Sequence, residues 1–166
     1  DMDGDGDLDI VTGNNGQQNV VYLNDGGGNF ATARNFGTGS DSTGSVAVGD
    51  MDGDGDLDIV TGNIHLQSVV YFNDGAGNFA DAPTSATSYD NTHRVALPDI
   101  DGDGDLDIVT GNDGFYSVQQ SVVYLNDGAG NFAVARNFGT GPDSTWSVAT
   151  GDIDGDGDLD IVTGNN

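Results

Sequence analysis

The segment Asp-x-Asp-Gly-Asp-Gly-Asp-Leu-Asp recurs four times in this chain of 166 residues, beginning at Asp1, Asp50, Asp99 and Asp152. No other feature constrains the fold so tightly. Two carboxylates ~4 Å apart repel by roughly 4 kcal/mol at an effective dielectric of 20. Each segment crowds five of them into nine residues. A compact structure accommodates four such clusters only around cations. Recurrence at a period of about 50 residues also implies stacked supersecondary units, each presenting one acidic loop.

The spacing suits a hard divalent cation. Ca²⁺ takes about six to eight oxygen ligands in a flexible shell. Alternate residues of a tight loop can aim carboxylates at one centre. In the second copy these are Asp50, Asp52 and Asp54; Gly55 permits the sharp turn, Asp56 offers its backbone carbonyl, and Asp58 closes the shell from the start of the next strand. The same roles fall on Asp1, Asp3, Asp5, Asp7 and Asp9; on Asp99, Asp101, Asp103, Asp105 and Asp107; and on Asp152, Asp154, Asp156, Asp158 and Asp160. Mg²⁺ prefers a smaller octahedral shell with retained waters, so an all-carboxylate cage favours Ca²⁺. The expectation is one ion per loop, up to four per chain.

An EF-hand matches the first six positions but needs a bidentate Glu at its twelfth and a helix on each side. The twelfth residue here is Thr12, Thr61, Thr110 or Thr163, and the loop runs into Leu-Asp-Ile-Val-Thr-Gly-Asn. That is a β-branched strand ending in a turn signal. The back-to-back nine-residue calcium repeats of secreted toxins are excluded by the long interval between loops.

Composition narrows the partners. All 28 acidic residues are Asp, 20 of them in the four loops, and only Arg34, Arg94 and Arg136 are basic. Four Ca²⁺ ions would change the formal charge from −25 to −17. Nucleic acid, which demands a basic footprint, is not an expected partner. No apolar run of ~18 residues suggests membrane insertion. Cysteine is absent, so no disulfide braces the fold. Solvent-open carboxylate sites suit the high calcium outside cells, and an extracellular location is expected. The chain opens on a metal ligand with neither Met nor signal peptide, which reads as a window on a longer polypeptide.

The repeats run 1–49, 50–98 and 99–151, followed by a partial fourth, 152–166; the third is longer through an insertion near Phe115-Tyr116-Ser117-Val118. Strands are predicted over Leu57–Thr61, Ser68–Phe72, about Asn78–Ala82, and Arg94–Leu97. The second and third are joined through the turn Asn73-Asp74-Gly75-Ala76-Gly77. No amphipathic helix is evident. Val69 and Tyr71 oppose Val70 and Phe72, so both faces are apolar and each sheet needs a neighbour on either side. The strand before each loop is built of small residues, Val46-Ala47-Val48, Val95-Ala96-Leu97 and Val148-Ala149. That taper suits a propeller blade with its narrow edge at an axis. The fold class is therefore all-β: tandem four-stranded antiparallel blades, in a partial propeller or an open stack.

The stretch Val48 to Val60, the Tyr71-Phe72-Asn73-Asp74-Gly75-Ala76-Gly77-Asn78-Phe79 hairpin, and Phe36-Gly37 with Phe138-Gly139 resemble the FG-GAP/VCBS repeats of integrin α-subunit propellers and secreted microbial proteins. The resemblance spans essentially the whole chain. It implies one Ca²⁺ per loop, held between adjacent strands of a blade. Two departures fall in the second repeat: Ser85-Ala86 replaces Phe-Gly, and Leu97-Pro98 replaces Val-Gly.

His65 and His93 occupy different repeat positions, which argues against a repeated catalytic site and for exposed loop residues. Trp146 aligns with Gly44 and His93, and reads as packing or surface. Phe115-Tyr116 is the better candidate for recognition. The carboxylates repeat identically and metal accounts for them, so no enzyme is expected. The functional expectation is a calcium-binding extracellular scaffold, structural or adhesive, filament formation included. A lectin-like carbohydrate-binding propeller and an integrin-like protein-binding propeller are the alternatives. Expected partners are further blades of a longer chain or identical subunits, with carbohydrate or a cell-surface protein as ligand.

Overall fold

The structure, a computed structural model, describes residues 1–81, 89–114, 119–141 and 143–166. The regular structure among them is entirely β. The first sheet holds β1 (Ile10–Thr12), β2 (Asn19–Leu23) and β3 (Thr32–Phe36). The second is β4 (Thr43–Gly49), β5 (Asp58–Asn63), β7 (Val69–Asn73) and β8 (Phe79–Asp81), accompanied by a separate pair, β6 (Leu66–Gln67) with β9 (Tyr89–Asp90). The third is β10 (Thr92–Ala96), β11 (Ile108–Asn112), β12 (Ser121–Leu125) and β13 (Val134–Phe138). Last come β14 (Thr145–Gly151) and β15 (Asp160–Asn165). All pairings are antiparallel, and within the blade sheets strands pair in chain order, as blades require; β6 lies outside that order and pairs with β9.

The sheets share the period of the sequence repeats but not their phase. β4 precedes the loop at Asp50 and pairs with β5, which follows it, from Thr43↔Asn63 to Gly49↔Asp58. The loops at Asp50, Asp99 and Asp152 are thus each the tip of a hairpin between two paired strands, and the loop at Asp1 leads into β1. β10 packs beside both β4 and β14, so the small-residue strands are neighbours at one edge of the stack.

Alternation along the middle strands builds the core between blades rather than within them. Ile59 and Tyr71 join Val21, Leu23 and Phe36 of the first sheet and Met2 of the first loop. From the opposite face, Val60 and Val70 join Met51 with Ile108, Val122 and Tyr124 of the third. The Phe36 ring meets Tyr71 edge-on, with centroids 5.1 Å apart. β5 is buried along its whole length, whereas the outer strands β3 and β13 are largely exposed.

Leu97-Pro98 has a local consequence. A proline cannot donate to the ladder, and β10–β11 pairing stops at Ala96↔Val109. The Pro98 carbonyl instead accepts the Asp107 amide at 2.7 Å. The β6–β9 pair was not anticipated, because two-residue strands carry no periodicity. The Ser85-Ala86 pair and the Phe115–Val118 insertion lie outside the described residues.

Blade spacing sets the glycine in the first three Thr-Gly-Asn segments. A Cβ on Gly62 would lie 2.8 Å from Thr92 Cγ2 and 3.1 Å from Val95 Cγ1 of the next blade; Gly13 and Gly111 are equally crowded. Gly164 holds the same place in β15, where a Cβ would meet only Ser147 Cβ, at 3.4 Å. Gly62→Ala should therefore destabilise the fold by about 1–3 kcal/mol through overpacking. Gly164→Ala should change it far less; thermal melts of the two variants check this.

Candidate metal centres

Each loop is shaped by its own first carboxylate. Asp50 Oδ1 accepts the Gly53 amide at 2.8 Å and Oδ2 the Gly55 amide at 3.0 Å. Asp1, Asp99 and Asp152 do the same at their glycines. Gly53 and Gly55 take φ of 79° and 95°, the region open to residues without a Cβ. Asp54 Oδ1 accepts the Asp56 amide at 2.9 Å. These bonds curl the loop so that its carboxylates share one centre.

Carboxylate oxygens lie within 4.8 Å of one another in four groups: Asp1, Asp3 and Asp5; Asp50, Asp52 and Asp58; Asp99, Asp101 and Asp107; Asp152, Asp154 and Asp160. The first and third loop positions belong to every group. Asp9 lies outside these groups, as do Asp54, Asp103 and Asp156, and also Asp7, Asp56, Asp105 and Asp158 at the seventh position. The side chains of Asp7 and Asp56 lie against hairpin glycines: a Cβ on Gly26 or Gly75 would come within 2.5 Å of Asp7 or Asp56 Oδ2.

The ninth residue does more than face the centre. Asp58 is fully buried; its Oδ2 accepts the Met51 amide and its Oδ1 the Asn73 amide, both at 2.8 Å. Asp9 and Asp107 make the same pair of bonds, with Met2 and Asn24 and with Ile100 and Asn126. This carboxylate ties the loop to the third strand of its blade. The hairpin asparagines Asn24, Asn73 and Asn126 were not singled out from sequence. The signal available was their recurrence at the head of each Asn-Asp-Gly-x-Gly-Asn turn.

Two observations test the fit of a cation. Asp3 Oδ1 and Asp52 Oδ1 are buried and make no hydrogen bond. A buried carboxylate oxygen without a partner is costly unless protonated or ligated. Burial also pushes the Asp58 carboxyl up to about 6, against the two amides that favour its charge, and pushes Asp107 up likewise. Asp52 is raised by burial and then by the neighbouring Asp54 charge. The hairpin carboxylates behave oppositely: Asp25, Asp74 and Asp127 are lowered, chiefly by the side chains of Asn29, Asn78 and Asn131. The donor set is hard, anionic and oxygen-only, and it fits a divalent cation of the calcium type.

A profile of the FG-GAP-like repeat matches residues 1–61, 62–110 and 99–163. The chain belongs to the FG-GAP-like repeat family. No curated protein matches it. Family and architecture agree: the chain is an FG-GAP-like repeat scaffold of propeller-type blades. No described helix is long and apolar enough to cross a membrane.

The histidine expectation holds for His65, exposed in the bend between β5 and β6, and needs correction for His93. His93 is not a loop residue. It lies in β10, half-buried, stacked on Trp146 of β14 with centroids 4.6 Å apart. Gly44, His93 and Trp146 each sit where the first strand slips register against the second, and a bulge of this kind re-aims a side chain. His93 Nε2 is 3.6 Å from Asp113 Oδ2, and Ser144 Oγ donates to Asp113 Oδ1 at 2.5 Å. The carboxylate stands between serine and histidine, so the imidazole is not placed to activate the hydroxyl, as nucleophilic catalysis requires.

A pH prediction follows for the chelated protein. Unfolded carboxyls lose their protons near ~3.9, whereas Asp58 holds its proton to about 6 when folded. Across that window the folded state binds more protons, so stability falls as pH rises. The melting temperature in chelator should decline from pH 4 to 6, and Asp58→Asn should flatten the slope. A rising profile would contradict the burial argument.

Proposed function

We propose that this chain is a calcium-stabilised extracellular scaffold whose blades are locked by one Ca²⁺ per acidic loop. The observation that carries the reading is the fourfold carboxylate cluster, with buried, partnerless oxygens on Asp3 and Asp52. Membership of the FG-GAP-like repeat family supports it. Asp1, Asp3, Asp5 and Asp9 would hold the first ion, with Asp7 contributing its carbonyl. Asp50, Asp52, Asp54, Asp56 and Asp58 do so in the second loop; Asp99, Asp101, Asp103, Asp105 and Asp107 in the third; Asp152, Asp154, Asp156, Asp158 and Asp160 in the fourth. When bound, calcium would offset two of the five negative charges in each loop and draw its carboxylates together. The chain supplies the rest: glycine turns that seat the carboxylates, and the ninth aspartate that carries the loop's geometry into the sheet.

A structural or adhesive role, built from stacked blades, suits the surface. Met2 and Met51, second in their loops, are buried by the following blade, whereas Ile153 at the same position is 68 % exposed. A further blade or an identical subunit would cover it. Leu159 and Val162 nearby are exposed as well. A carbohydrate-binding reading has one observation in its favour: Trp146 is half exposed while stacked on His93, a ring available to a sugar. Titration with a glycan array, with Trp146→Ala as comparison, separates the two readings.

Calorimetric titration with calcium is the direct test, and up to four ions per chain are expected. Asp52→Asn should remove one site and leave the others, since repeat arrays couple mainly between neighbours. Chelation should lower the melting temperature sharply, because a ligand bound only to the folded state stabilises by mass action. Fewer than two ions per chain at millimolar calcium, or an unchanged melt in chelator, would overturn the proposal.

A further inference from the structure

Successive loops are joined by a path of two hydrogen bonds through one asparagine. Asn126 heads the β12–β13 hairpin. Its Nδ2 donates 2.9 Å to the carbonyl of Met51, which lies between Asp50 and Asp52 in the previous blade's loop. Its backbone amide donates 2.8 Å to Asp107 Oδ1, the ninth residue of its own blade's loop. Asn73 repeats the arrangement one blade earlier: Nδ2 donates 2.9 Å to the Met2 carbonyl, and its amide 2.8 Å to Asp58 Oδ1. Asn24 makes the amide bond to Asp9, while its Nδ2 donates to Leu8 within its own repeat.

Packing reinforces the path. The Met51 side chain is fully buried among Ile108, Val122 and Tyr124 of the next blade. A Cβ on Gly53 would lie 3.1 Å from the Gly128 carbonyl of the next hairpin, and one on Gly4 would lie 3.3 Å from that of Gly75. Loop and following hairpin touch along the backbone, with no side chain to absorb movement. A crevice lined by Asp50, Met51 and Gly53 on one side and Asp105, Leu106 and Asn126 on the other marks this seam.

We infer that Asn73 and Asn126 are positioning residues that couple neighbouring calcium loops, so that filling one site raises the affinity of the next. The inference rests on the calcium reading of these loops. The element with two states is the loop. Without a cation its carboxylates repel and it expands, which displaces the Met51 carbonyl flanked by two ligands. With a cation it is drawn in, and that carbonyl is offered to Asn126 at the position where Asn126 also holds Asp107. The cation in one loop thereby pre-orders a ligand of the next, and the ordering cost is met once for two sites. Coupling of this kind is reciprocal and typically changes affinity from about fivefold upward. It runs from the first loop to the second through Asn73 and from the second to the third through Asn126.

The test uses the isotopically labelled full chain, titrated with calcium. The Gly55 amide reports the second loop and the Gly104 amide the third. Asp101→Asn disables the third loop. It should shift the Gly55 midpoint to about fivefold higher calcium. In an Asn126→Ala background the same change should shift it less than about twofold. Linkage demands the converse, that Asp52→Asn weaken the third loop by the same factor. Asn24→Ala, which loses the same side chain from a hairpin but no bond to another loop, should leave the coupling intact. A Gly55 midpoint indifferent to Asp101→Asn in the otherwise native chain overturns the inference even if Asn126→Ala fails to fold. If neither amide responds to millimolar calcium, the calcium reading itself fails; if both respond independently, only the coupling does.

Discussion

Repulsion among carboxylates inside each loop is the force that the rest of this structure is arranged to contain. Five negative charges are placed at a hairpin tip, where the two strands entering and leaving are already hydrogen-bonded. Amide donors are then brought to the carboxylates from three directions. Glycine amides of the loop serve the first aspartate, the amide after the first serves the ninth, and the third strand of the blade serves the ninth again. Each such bond favours the charged form. Yet burial still raises Asp58 and Asp107, so the amides do not fully offset the loss of water, and the remaining imbalance is what a cation would correct.

The dependence of the blades on one another has a second source, in their apolar faces. A four-stranded sheet apolar on both faces cannot bury itself. Here each inter-blade core draws residues from both sheets, with Ile59 committed to one neighbour and Val60 to the other. At the strand ends far from the loops, backbone bonds add to this: the Thr43 amide reaches the Asn14 carbonyl, and the Gly16 amide the Asp41 carbonyl. A buried polar seam runs beside them, Asn19 Nδ2 to Thr43 Oγ1 and Thr43 Oγ1 to Asn63 Oδ1. A blade is therefore held at the loop end, along its apolar faces and at the far end, and always by its sequence neighbours.

What was legible in the sequence was local. Alternate carboxylates separated by glycines announce a loop that gathers oxygens. Leu-Asp-Ile-Val-Thr announces the strand after it, and strand boundaries fell within two residues of those expected. What was not legible depends on distance along the chain. Asn73 reaches Met2 across 71 residues and Asn126 reaches Met51 across 75. A turn-forming asparagine gives no sign that its amide group will cross to another blade. Met2 and Met51, single apolar residues between two aspartates, carry no alternation that would mark them as core. His93 was misplaced for a related reason: a register slip puts it where no alternation pattern points.

Near-identity of the repeats makes the exceptions informative. Gly44, His93 and Trp146 share one bulged position in β4, β10 and β14, and only the last two carry a ring. At Gly44 a Cβ would already meet Ile64 Cδ1 at 3.3 Å and the Thr92 carbonyl at 3.4 Å, so the first of these interfaces has room for little more than glycine. The second opens enough for an imidazole and an indole to stack. Loop ends of the blades are locked by chemistry that scarcely varies, while the opposite ends differ from blade to blade. An array built this way can keep one mechanism of stabilisation throughout and still vary what it presents to a partner.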